Sequence, residues 1–189
     1  MRTSTALRLL GFWLTAAVMV FAFAFVIGET VSDPGGWAAV GYLATWLVPL
    51  AALVWLAIRR PEWASRLLLA ALVLPVGFAA WGLLDRQGWR DFQDGVGPVG
   101  AILVMVLGTA LAFLGRHRTH MVLAGWAMVA LTVLPALLLA GEHGGAMSTL
   151  LPSVPVLVSG LLYVVAGHAA RDDATVAEPR TSPRHLVRH

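Results

Sequence analysis

LLGFWLTAAVMVFAFAFVI, residues 9–27, is a run of nineteen residues without a formal charge. The hydrocarbon core of a bilayer is about 30 Å thick and takes about 20 apolar residues to cross as a helix. The run has that length and stops at Gly28-Glu29. A secretory leader carries a shorter apolar stretch of roughly 7–15 residues, followed by a small-residue cleavage site. Here the only Ala-x-Ala, Ala22-Phe23-Ala24, lies inside the run. The stretch therefore reads as a retained membrane span.

Five more runs of the same kind follow, at residues 37–58, 67–84, 99–115, 121–140 and 151–170. The second is stopped by Arg59-Arg60-Pro61. The expectation is an all-α, polytopic membrane helix bundle of six transmembrane helices. Residues 1–8 form a cytoplasmic N-terminus and 9–170 the transmembrane domain. The tail, 171–189, is polar, holds Pro179 and Pro183 and lacks helical periodicity, so it is expected to be disordered.

Composition agrees with the six runs. Apolar residues make up 59% of the 189-residue chain, charged residues 12%, and the mean hydropathy is +0.80. Ordinary globular proteins carry about 25% charged residues to cover their surface. All 13 basic residues are arginine, so Schiff-base and other lysine chemistry is excluded. There is no cysteine, which excludes disulfides, thiolate metal sites and iron–sulfur clusters. The basic balance is no sign of nucleic acid, because the arginines flank the apolar runs.

Orientation follows from where those arginines fall, since basic loops resist translocation. Arg2, Arg8, Arg59, Arg60, Arg66, Arg116, Arg118, Arg171, Arg180, Arg184 and Arg188 all fall on one side of the expected topology. The opposite side has only Arg86 and Arg90, together with Glu29, Asp33, Asp85, Asp91, Asp94 and Glu142. Both termini are accordingly expected at the cytoplasmic face of the inner membrane. The acids Glu29, Asp85 and Glu142 are 56 and 57 residues apart; Arg59, Arg116 and Arg171 are 57 and 55 apart. That spacing describes three tandem helical hairpins. It fits a tandem repeat, and it also fits an alternating topology with loops of similar length.

No Asp, Glu, Arg or His lies near the middle of an expected span. Ionisable groups at membrane depth mark proton relays, ion paths and active sites, and ligation of a b-type haem would need paired histidines there. The six histidines lie at span ends, in loops or in the tail. His117 and His120 stand beside Arg116 and Arg118, whose charge opposes a metal cation. No catalytic residue, cofactor or metal is expected.

The longest polar stretch between spans is DRQGWRDFQDGVGP, residues 85–98. Together with the other outer loops it offers one candidate site, an acidic outer-face cluster of Glu29, Asp33, Asp85, Asp91, Asp94, Glu142 and His143. Calcium needs six or more oxygens from a defined loop, and Asp91-x-x-Asp94-Gly is too short for that. A solvated turn at the membrane surface explains the same charges.

Pro49, Pro75, Pro135, Pro152 and Pro155 fall within or at the start of spans and are expected to break or kink them. Gly108 with Ala112, and Gly41 with Thr45, lie four apart and are expected to allow close helix contact. Of the eight tryptophans, Trp37, Trp63 and Trp89 fall near span ends, whereas Trp46, Trp55, Trp81 and Trp126 lie deeper. The functional expectation is a non-enzymatic membrane protein, an accessory, scaffold or sensor subunit acting through a membrane-protein partner or as a homo-oligomer in the lipid bilayer. The alternative is a small permease or binding protein for an apolar or lipid-like compound.

Overall fold

The computed structural model describes residues 3–32, 37–89, 91, 99–138 and 145–177. Seven helices cover most of them: α1 (Thr3–Ser32), α2 (Trp37–Arg59), α3 (Pro61–Ala71), α4 (Val73–Leu84), α5 (Val99–Leu114), α6 (Met121–Leu138) and α7 (Gly145–Ala177). No strand occurs among the described residues. Three stretches are long and apolar enough to cross a membrane: Thr3–Phe21, Pro61–Leu84 and Ser153–Arg171. Ala44–Arg59, Ile102–Leu114 and Met121–Leu137 are shorter apolar helices.

The bundle is built around α5. From Ile102 to Gly115 none of its side chains is exposed, and it packs against all six other helices. A helix that is apolar all round belongs in the interior. Its sequence allows this, with no charge anywhere and Gly108, Ala110 and Ala112 keeping neighbours close. The outer helices show the reverse arrangement. Trp13 on α1 is 65% exposed, Trp55 on α2 61% and Trp126 on α6 55%, in company with Phe21, Val48, Leu137 and Val165. That much apolar surface is covered by lipid rather than water, and the chain is a membrane protein.

Three of the buried hydroxyls bond their own helix. Thr15 donates to the Gly11 carbonyl at 3.1 Å, Thr132 to Met128 at 3.1 Å, and Ser65 to Glu62 at 2.7 Å. Each side chain is thereby satisfied without a partner on another helix.

Helix limits differ from the sequence reading in instructive ways. The third span begins at Pro61 rather than residue 67, because proline at the first helical position lacks only an N–H that would be unpaired there. Ser65 and Leu68 are buried while Glu62 and Arg66 are exposed, so this extension is amphipathic. Of the prolines within helices, only Pro75 coincides with a break: it cannot donate to the Ala71 carbonyl, and the helix turns at Leu72. Pro49, Pro135, Pro152 and Pro155 lie in continuous helices, so at these four positions the helix is not broken. Beside Pro135 the Thr132 hydroxyl bonds two carbonyls of the preceding turn, and neighbouring helices hold the rod together.

The tail is also partly different, since α7 runs through Arg171 to Ala177, seven residues into the segment expected to be disordered. Alanines at 169, 170, 174 and 177 favour helix, and Pro179 disfavours it at the residue before. Residues 178–189 lie outside the described residues.

The consecutive pairs do not pack alike. Helices α6 and α7 cross in close contact, whereas α1 and α2 touch only marginally, and α2 rests chiefly on α5. At the α6–α7 crossing Gly125 and Gly160 meet backbone to backbone. Gly108 packs on Val156, as expected; Gly41 meets nothing within 4 Å among the described residues, and Thr45 is exposed.

Candidate functional site

The expected acidic cluster is only partly within the described residues. Asp33, Asp94, Glu142 and His143 lie outside them, and Glu29 falls in the last turns of α1. Asp85 and Asp91 are described and exposed. The Asp85 carboxylate accepts the Gly88 N–H at 3.0 Å, and Gln87 Nε2 donates to Asp91 Oδ1 at 3.3 Å. Both acids thus stabilise the helical turn that follows α4. Trp89 then folds back on α4: its ring lies 5.7 Å from that of Phe78 and 5.6 Å from that of Trp81, and Gly82 leaves the space for it. Among the described residues no group of three or more His, Asp or Glu side chains is placed to hold a metal.

The opposite end of the bundle is more highly organised. The start of α1, the end of α2, the start of α3, the 115–120 loop and the end of α7 meet there, bringing Arg8, Arg59, Arg60, Arg116, Arg118 and Arg171 to one end. Three carbonyls at this end are left without the donor a continuing helix would supply, and three side chains take them up. Pro61 has no N–H for the Ala57 carbonyl; His117 Nε2 lies 3.0 Å from that oxygen and must carry its proton, since a carbonyl only accepts. The Arg116 N–H turns to Phe113, and the Ala112 carbonyl it leaves accepts the buried Tyr163 hydroxyl at 3.0 Å. The Arg116 carbonyl accepts Arg8 Nη1 at 3.2 Å. The Arg116 guanidinium lies 5.0 Å from the centre of the Phe12 ring, which meets Phe113 edge-on.

Two recesses open at this end. One, of about 420 Å³, is lined by Trp55, Arg59 and Arg60. The other, of about 480 Å³, is an open groove between the α3–α4 bend and α6. Leu69, Leu72, Val122 and Trp126 form its apolar wall, with Thr119 and Arg171 at its polar end. Neither the capping side chains nor the groove was foreseen from sequence. The one available signal for the first was Pro61, whose missing N–H leaves a carbonyl in need of a donor.

Compared with protein-family models, with curated proteins and with solved structures, the chain shows no match to any.

Proposed function

We propose that this chain is a six-span inner-membrane protein, a path of three helical hairpins with both termini cytoplasmic, that works as an accessory or scaffold subunit through a membrane partner. The observation that carries this reading is the position of α5. The axis of the bundle is filled by a helix whose Leu103, Leu107, Leu111 and Leu114 are all buried, where a permease would place its substrate route. What remains available to other molecules is the outer surface. There α2 supports the partner role, with Ala57 its only fully buried described side chain, and Trp55, Val48 and Ile58 facing outward. The arginine-bearing end supports the orientation.

The groove beside Arg171 favours the alternative, binding of a lipid-like compound, only at the surface. Its lining on α6 stops at Ala130, eight residues before the helix ends at Leu138. Gentle extraction from native membranes, followed by mass spectrometry of what co-purifies, tests the proposal. A protein in fixed stoichiometry supports it. A bare chain that, reconstituted alone, takes up a solute saturably overturns it.

A further inference from the structure

The groove has two features of an amphiphile site. Its wall is apolar, running along α6 from Val122 to Ala130, a rise of about 12 Å at 1.5 Å per residue. Its polar groups are gathered at one end, where Arg171 and Thr119 stand at the level of the other arginines. Among the described residues no Asp or Glu lines it. The Arg171 guanidinium is exposed and has no hydrogen-bond or ion-pair partner among the described residues. The bend at Leu72 lines the opposite wall, so the recess follows from Pro75 rather than from a loop.

We infer that this groove binds one anionic glycerophospholipid of the leaflet at the arginine-bearing end. An acyl chain lies along α6 between Leu72 and Trp126, and the phosphate is held by Arg171 with the Thr119 hydroxyl as a second donor. Apolar burial alone would retain any lipid; the guanidinium supplies the preference for net negative charge. A basic residue near the membrane surface contributes enough for about a fivefold preference over a zwitterionic headgroup. The inference does not depend on whether a protein partner exists.

The test uses the full chain purified in detergent and offered equimolar phosphatidylglycerol and phosphatidylcholine, with retained lipid read by native mass spectrometry. One phosphatidylglycerol per chain is expected, in preference to phosphatidylcholine. Arg171→Gln, an exposed change, should remove about fivefold of that preference. Ala130→Phe, which fills the groove, should lower retention of both lipids. Arg118→Gln, at the same end but outside the groove, should leave the preference unchanged, and excess inorganic phosphate should not displace the lipid. No preference in the unaltered chain overturns the inference. So does an Arg171→Gln chain that keeps the full preference, an Arg118→Gln chain that loses as much, or displacement by phosphate alone.

Discussion

Replacing Gly125 by alanine adds a single methyl group where the backbones of α6 and α7 meet. The added Cβ would lie 2.7 Å from the Gly160 carbonyl oxygen, 2.8 Å from Val164 Cγ2 and 2.9 Å from the Val164 nitrogen. Carbon–oxygen contacts settle at about 3.3 Å or more, so α6 and α7 must move apart by roughly 0.6 Å. Backbone atoms are among those met, and no rotamer change relieves them. A gap of that size forfeits about a quarter to a half of the dispersion energy of the atoms it separates. Overpacking of this kind costs about 1–3 kcal/mol, while alanine returns up to about 1 kcal/mol in helix propensity. The net expectation is a loss of about 1–2 kcal/mol, read as a lower midpoint when detergent-solubilised protein is unfolded with increasing dodecyl sulfate. Gly41→Ala is the internal control: its Cβ meets nothing within 4 Å among the described residues, so the propensity gain remains and the midpoint should hold or rise. Gly125→Ala and Gly160→Ala together should lose less than the sum of the two, because one displacement relieves both. If Gly125→Ala and Gly41→Ala shift the midpoint alike, the backbone crossing is not where these helices meet.

Three further substitutions probe the capped carbonyls and the outer turn. Tyr163→Phe removes the donor to Ala112 without changing ring volume and should lower stability by about 1 kcal/mol in the same titration, the usual net worth of one hydrogen bond. His117→Phe keeps a ring but leaves the Ala57 carbonyl without its donor; hydrogen exchange at the α2–α3 junction should quicken, with a loss of about 1–2 kcal/mol. Asp85→Ala should act only locally, speeding exchange of the Gly88 amide while shifting the unfolding midpoint by about 1 kcal/mol or less.

The apolar runs were legible because helix length against bilayer thickness is a property of each segment alone. Residues 37–58 anticipated α2 to within one residue, and residues 99–115 did as well for α5. The amphipathic extension of α3 escaped because Arg66 read as a loop charge, when it and Glu62 lie on the exposed face of a helix whose other face buries Ser65 and Leu68. Nothing in residues 99–115 distinguishes that run from its neighbours as the central one. Burial on all sides is decided by the other helices. The same holds for the candidate site: Asp85 was visible as an acid, but its service to the Gly88 N–H depends on a turn the charge pattern does not show.

The glycines make the point most sharply, because the same local feature has opposite consequences at two places. Gly41 with Thr45 and Gly108 with Ala112 present one spacing, yet among the described residues Gly41 meets no neighbour within 4 Å and Gly108 packs against Val156. The backbone-to-backbone contact uses neither pattern: Gly125 and Gly160 stand on different helices, and Gly160 shares its face toward α6 with Gly167, seven residues on, which meets Val122. A small residue permits close approach without supplying a partner. The partner comes from the whole bundle, in which α7 is pinned on three sides: to α1 at Gly11, to α5 at Tyr163 and to α6 at Gly160. The groove lies between the α3–α4 bend and α6, the helix that this crossing sets against α7, so a change at the crossing shifts one of its walls. Gly125→Ala should therefore weaken retention of phosphatidylglycerol as well as stability, although Gly125 does not line the groove. A Gly125→Ala chain that is destabilised yet binds lipid as before would break that link and leave the groove independent of the crossing.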